Sequence, residues 1–366
     1  MLDKGKISVR QFMVLVILFT IGSGILVLPS LLAAELNQNA WIVPLLGIGV
    51  GTLIIMLYNA LAGFFPNMSL VEMVEHTFGK WLGLFISFTI VLFLFHNASA
   101  LLIYIANFMT TQWMPETPIE FIIILFFSVV MMGTWLGLEV IARSAEIFIF
   151  WFLFLFFFLV IFISPQIEWK NVEPVFESGT KPIMLSILHF WSFTFIPFVA
   201  LLMIFPARVN QLKKGRKAFL IGACIGGIIL FIMVILCILV LGPDHTARYL
   251  YPSYVLAQKI NVGKFVQRIE VIIAIMWILS VFIKMTIYFY GSVIGFAQML
   301  KLESYRFLIL PFGMIMIPAT LVMHPDVIYL QTFDTEIWPM YGSTFGLLLP
   351  LILLTVTFVR KRYKSE

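Results

Sequence analysis

The sequence predicts an all-α polytopic membrane protein of ten transmembrane helices, and three observations carry that prediction. The 366 residues are 62% hydrophobic and only 11% charged, against roughly 45–50% apolar and about 25% charged in soluble domains. The mean hydropathy is +1.07. Apolar runs near the roughly 20 residues that cross a bilayer recur from one end of the chain to the other. This composition excludes a water-soluble globule, a disordered chain and a nucleic-acid-binding domain. The partner it demands is the lipid bilayer.

Runs separated by polar or turn-forming segments place the spans near 10–32, 41–65, 82–113, 118–138, 144–164, 182–205, 217–241, 265–297, 305–322 and 338–359. The first run is longer than the roughly 7–15 apolar residues of a signal peptide, so it counts as a span. The third and eighth are long enough to tilt or to project from the membrane. Between spans two and three, Ser69 to Gly79 reads either as a short amphipathic surface helix or as a polar connector. Cys224 and Cys237 share one expected helix, 13 residues apart. Bridged Cα atoms lie within about 7 Å, so both read as small buried apolar residues. The loop 243–264 carries Tyr249, Tyr251, Pro252 and Tyr254, which suit a membrane interface.

The net charge of +5 is an orientation signal. With the N-terminus inside, sixteen of the 23 Lys and Arg fall on the inside and five outside, with Arg268 and Lys284 within span eight. Positive charge favours the cytoplasmic side, so both termini are expected to be cytoplasmic.

Two spans should break. Span one contains Gly22-Ser23-Gly24 and then Pro29; span six contains Phe193-Thr194-Phe195-Ile196-Pro197. Interior Gly and Pro weaken helices. At membrane depth, non-helical backbone survives only where it is buried in protein or lines a cavity. A small-residue packing face explains span one alone equally well. The two spans are five apart, however, and an odd offset inverts direction through the membrane. Interrupted helices at corresponding places of inverted halves point to a transporter-type binding site. The single membrane domain, 1–366, then divides into a first repeat near 10–164 and a second near 182–322. Helix ten near 338–359 and a basic tail 360–366 follow. Free amides near Ser23 suit a carboxylate and free carbonyls near Phe193 suit an ammonium, so a small zwitterion such as an amino acid fits both.

Few ionisable groups lie deep: His96 in span three, His189 in span six and Lys284 in span eight. Such residues are functional candidates by default. Lys284 has no mid-depth carboxylate to pair with in this reading, and is either neutral or hydrogen-bonded to broken-helix carbonyls. His96 and His189 read first as interhelical hydrogen-bonders. No metal-ligand spacing, phosphate loop, nucleophile elbow or dinucleotide fingerprint occurs. No catalytic residue, metal or cofactor is therefore expected.

Several motifs, in order, resemble a known family: Gly22-Ser23-Gly24 with Leu28-Pro29, and Ser69-Leu70-Val71-Glu72 leading into Gly79-Lys80-Trp81-Leu82-Gly83. Phe205-Pro206 before a basic loop, Tyr251-Pro252, Arg268-Ile269-Glu270, Trp277, Tyr288 and Arg360-Lys361-Arg362 continue the series. The chain resembles the B subunits of bacterial spore germinant receptors, the spore germination permeases of the amino acid–polyamine–organocation superfamily. The resemblance implies a 5+5 inverted repeat of the leucine-transporter type with helices one and six broken. It also implies a germinant-sensing role beside A and C subunits in the spore inner membrane. The implied ligand site lies between helices one, three, six and eight: Gly22, Ser23 and Gly24; Phe93 and Asn97; Thr194 and Pro197; Lys284 and Tyr288. The competing expectation is an amino acid/cation secondary transporter. The absence of a mid-membrane Asp or Glu weighs against carboxylate-based proton coupling in it.

Overall fold

The computed structural model describes residues 5–175, 177, 179–260 and 270–363. Lys4, Lys264, Arg268, Ile269 and Lys364, used above in the charge count or the resemblance, lie outside the described residues, as does the expected start of span eight.

Span one is two helices, α1 (Val9–Ile21) and α2 (Gly24–Leu36). Span two is α3 (Ile42–Phe64), and α4 (Leu70–Phe78) follows it. Spans three, four and five are α5 (Lys80–Gln112), α6 (Ile119–Leu136) and α7 (Leu138–Ile163). Span six is α8 (Thr180–Thr194) continued by a 3-10 turn, Ile196–Met203. Span seven is α9 (Leu212–Leu241). The short helices α10 (Pro243–Arg248) and α11 (Pro252–Gln258) precede span eight, α12 (Val271–Met299), and span nine, α13 (Arg306–Met323). Among the described residues, nine helical stretches are each long and apolar enough to cross a bilayer. One of them, Gly24–Phe64, joins the second half of span one to the whole of span two. With α1 supplying the first half of span one, the crossings number ten.

Span ten departs from its expected bounds of 338–359. It begins eleven residues earlier and runs through α14 (Val327–Thr332), α15 (Trp338–Ser343) and α16 (Leu349–Tyr363), with π-helical turns at Phe333–Ile337 and Thr344–Leu348. Gln331, Asp334, Thr335 and Glu336 interrupt the apolar pattern there, and π turns shift its register.

Local chemistry explains the helix starts. The Ser8 hydroxyl accepts the Gln11 amide while the Gln11 side chain accepts the Ser8 amide, and Ser69 and Glu72 repeat this reciprocal cap. The segment after span two is therefore a helix, α4, with Leu70, Val71, Met73 and Val74 buried against the bundle. Both ends of the described residues lie on one face. The Ile7 amide donates to the Arg208 carbonyl at 2.8 Å, and Arg360 Nη1 donates to the Thr77 carbonyl at 2.6 Å. We call this the terminal face; α10 and α11 cover the opposite one.

Spans three, six, seven and eight are mostly buried, whereas spans four, five, nine and ten turn most of their apolar side chains outward. Phe85, Phe150, Met340 and Val322 are among the exposed apolar groups, which is the arrangement a lipid solvent requires. At the centre α1 packs on α9 and α5 on α12. The first contact is close because Gly222 carries no side chain: a Cβ there would lie 2.9 Å from the Met13 carbonyl. Small residues permit such approach where no hydrophobic effect drives helices together. Cys224 and Cys237 are both free thiols.

Candidate functional site

Both expected breaks occur, and their geometry makes the site. Span one stops at Gly22, whose φ of 23° lies in the region glycine favours. The chain resumes as α2 with no side-chain cap from Ser23, and the Leu26 amide donates to the Ser23 carbonyl at 3.3 Å, which leaves the Gly24 and Ile25 amides as donors. Span six stops at Phe195, between Thr194 and the 3-10 turn.

A helix broken inside a bilayer must satisfy its freed carbonyls some other way. Here side chains from three other spans do so. The Phe193 carbonyl accepts from Lys284 Nζ at 3.2 Å. The Ser192 carbonyl accepts from Trp338 Nε1 at 2.9 Å. The Tyr58 hydroxyl shares its one proton between the carbonyls of Gly346, at 2.5 Å, and Ile196, at 3.3 Å. Lys284 Nζ also donates to Ser23 Oγ at 3.4 Å and stands 5.3 Å from the centre of the Phe19 ring. One ammonium thus joins the breaks of spans one and six.

Beside this junction lies a cavity of about 40 Å³. Ser23, Phe193, Pro197, Lys284 and Tyr288 line it from spans one, six and eight. Span three contributes His96, Asn97, Ala100, Leu101 and Tyr104, and span ten contributes Phe333, Asp334 and Trp338. Of the residues expected at the site, Ser23, Asn97, Pro197, Lys284 and Tyr288 converge on this cavity. The other four are not among its lining residues. Gly22 gives Lys284 room, since a Cβ would collide with the lysine Cδ. Gly24 packs near Leu230. The Thr194 hydroxyl returns to the Phe190 carbonyl at 2.5 Å. Phe93 stacks on Phe345 at 4.5 Å and on Trp338 at 6.0 Å, while its carbonyl accepts from Asn97 Nδ2 at 2.7 Å.

One buried carboxylate and one half-buried carboxylate correct the expectation that the membrane interior holds none. Asp334 is 9% exposed and accepts a hydrogen bond from the Tyr104 hydroxyl. Glu35, at the end of α2, pairs with His189 of α8, whose Nε2 lies 3.1 Å from the Thr335 carbonyl. Both carboxylates fall beyond the expected ends of their spans, because those spans continue through polar positions. His189 is thus the interhelical hydrogen-bonder it was expected to be. Tyr104, Asp334 and Trp338 went unnoticed in the sequence. The signal that marks Asp334 is an acid four residues before Trp338, on a helix read as starting too late.

A second cavity, of about 250 Å³, opens toward the face opposite the termini. Val27, Ser30, Asn107, Arg248, Tyr251 and Gln331 are among its lining residues. Tyr104 and Asp334 line both cavities, so their hydrogen bond stands at the boundary between the two. Among the described residues no group of three or more His, Cys, Asp or Glu is placed to hold a metal.

Ten crossings, two of them broken around a buried cavity, define a membrane protein of the transporter-like, broken-helix class. Solved structures agree on the fold. A Na+-coupled sialic acid symporter in its substrate-bound, outward-open state aligns over 93% of this chain and 78% of its own, with a TM-score of 0.67 at 13% identity. The MhsT complex with L-phenylalanine aligns over 98% and 99%, with a TM-score of 0.64 at 16% identity. The fold is the leucine-transporter type, with its 5+5 inverted repeat.

A family model described as "Spore germination protein" matches residues 6–328, and the chain belongs to that family. Spore germination protein KB of Bacillus subtilis (strain 168) is 29% identical over 371 residues, covering 100% of this chain and 98% of that protein. Spore germination protein A2 of the same organism is 24% identical over 379 residues, covering 99% and 98%.

Proposed function

We propose that this protein is the germinant-sensing subunit of a spore germination receptor. It binds a small molecule such as an amino acid in the mid-membrane cavity and thereby triggers germination. It acts beside A and C subunits in the spore inner membrane, with the terminal face cytoplasmic and no chemical conversion of the ligand. The observation that carries this reading is the cavity at the junction of the two broken helices, with Lys284 joining Ser23 to Phe193. A ligand entering from the outer cavity meets Tyr104 and Asp334 first. It shifts the protein between two states by the difference in its affinity for them, and partner subunits read the change.

A second reading, an amino acid/cation secondary transporter, is favoured by the coupled symporter among the fold's neighbours. Reconstituted vesicles separate the two. The sensing reading expects ligand binding without gradient-driven accumulation by this chain alone. Robust accumulation driven by a cation gradient would replace it with transport.

A further inference from the structure

On the terminal face, α9 starts beside the end of α3, and the two helices touch at two levels. Asn59 Nδ2 donates to the Arg216 carbonyl at 3.2 Å, and Ile48 fills the space that a Cβ at Gly227 would need. Ile48 to Asn59 and Arg216 to Gly227 are both eleven residues, so the helices run antiparallel. Eleven residues rise roughly 16 Å at about 1.5 Å each, which is about one leaflet of a hydrocarbon core roughly 30 Å thick. Beside this contact α3 exposes Leu53 and Met56, and α9 exposes Ile221 and Ile228. Helical spacing turns both pairs to the same side of the contact, where they border one lipid-facing groove.

The groove ends in cations. The half-buried Arg216 lies against Gly63, where a Cβ would collide with its Nη2. Its Nε has no hydrogen-bond partner. Lys213 and Lys217 are exposed on the same side of α9. From α16, Lys361 Nζ stands 5.4 Å from the centre of the Phe64 ring. None of α3, α9 and α16 contains an Asp or Glu. No ion pair among the described residues reaches these four cations, since Glu75, Glu139 and Glu146 face Lys301, Arg143 and Arg10 instead. Orientation in the membrane accounts for the sign of the charge on this face. It does not account for a guanidinium folded against a glycine with no acid near it.

We propose that this groove binds an anionic phospholipid, with its phosphate on Arg216, Lys213 and Lys217 and an acyl chain along Leu53, Met56 and Ile221. Basic pockets between membrane helices take anionic headgroups, and a guanidinium offers a phosphate two parallel N–H groups. The charge selects among lipids. A zwitterionic headgroup brings an ammonium, which would meet four cations and no carboxylate. A headgroup charged only at its phosphate brings none. An acidic protein segment would match the cations, but not the apolar groove that continues from them into the leaflet. The site is separate from the central cavity and does not depend on the small-molecule reading.

The test measures lipid binding to the purified full-length protein by native mass spectrometry. With matched acyl chains, phosphatidylglycerol should bind at least about fivefold more tightly than phosphatidylethanolamine; equal binding overturns the proposal. Free sn-glycerol 3-phosphate, which has the phosphate without the chains, should not compete. If it does, the site takes a soluble phosphate and the lipid assignment falls. Arg216→Gln combined with Lys217→Gln should abolish the preference. Lys80→Gln combined with Arg306→Gln removes two exposed cations from the starts of α5 and α13, away from the groove, and should preserve it. The same result in both double variants overturns the site. A glutamate-rich peptide that binds more tightly than the lipid, and only while Arg216 and Lys217 are present, would replace the lipid with an acidic protein segment. Should the groove variant fail to fold, phosphatidylglycerol with a photoreactive headgroup decides on the unaltered protein. Its label should concentrate within residues 212–221, and a label absent from that segment overturns the proposal.

Discussion

The ammonium of Lys284, in α12, donates at 3.2 Å to the carbonyl of Phe193, on the last turn of α8, across 91 residues of sequence. It reaches that carbonyl by passing over Gly22, where a Cβ would meet the lysine chain. Gly22, Lys284 and Phe193 therefore form one joint that sets how the two broken helices sit relative to each other.

Gly22→Leu attacks that joint. The φ of 23° disfavours a side chain, and displacing Lys284 costs roughly 1–3 kcal/mol by overpacking. The variant should still insert and purify as a single species, because the apolar spans are intact. Its ligand-induced rise in melting temperature should vanish. An unchanged ligand response would remove Gly22 from the site.

Tyr104→Phe removes the hydroxyl that meets Asp334 between the two cavities. With a cysteine placed at Ala100, and Cys224 and Cys237 replaced, labelling by a membrane-impermeant thiol reagent from the outer face should speed up several-fold. Equal labelling rates with and without the hydroxyl would show that the pair does not limit entry.

Trp338→Phe keeps a ring for Phe93 to stack on but strips the N–H that satisfies the Ser192 carbonyl at 2.9 Å. An unsatisfied buried acceptor costs about 1–3 kcal/mol. The melting temperature should fall measurably, whereas Tyr329→Phe, at an exposed position, should leave it unchanged.

His324 sits between spans nine and ten, 2% exposed, with Nε2 3.4 Å from Ser99 Oγ and Nδ1 unpartnered. Burial, and after it the neighbouring His96, push its pKa down to about 4. The unfolded chain takes up this proton near pH 6.5 while the folded chain does not until about pH 4. The folded state therefore loses stability as pH falls through that window. His324→Gln should flatten the decline of melting temperature between about pH 6.5 and 4. A decline as steep as in the parent protein would assign the acid sensitivity to other groups.

Much of the fold was legible because lipid makes composition a direct readout of position. The breaks at Gly22 and Phe195 were legible too, since Gly-Ser-Gly and a mid-span Pro are local departures from helix chemistry. Lys284 stood out as a charge in an apolar run. The expected site was legible only in part. Ser23, Asn97, Pro197, Lys284 and Tyr288 meet at the cavity, but Phe93 turned out to stack on span ten. That contact was hidden because the outer half of span ten reads as a polar loop, and its π turns rotate Asp334 and Trp338 toward the bundle.

The solvent, the ten crossings and the two interrupted helices each depend on residues near one another in the chain, and so could be read before any helix had packed. The tertiary structure alone decided what the interruptions hold. Lys284 meets Phe193, Tyr104 meets Asp334 and Trp338 meets Ser192 only after helices distant in sequence have packed. The freed carbonyls and buried charges have no water to turn to, so their partners must come from other spans. Which spans supply them is a property of the packing.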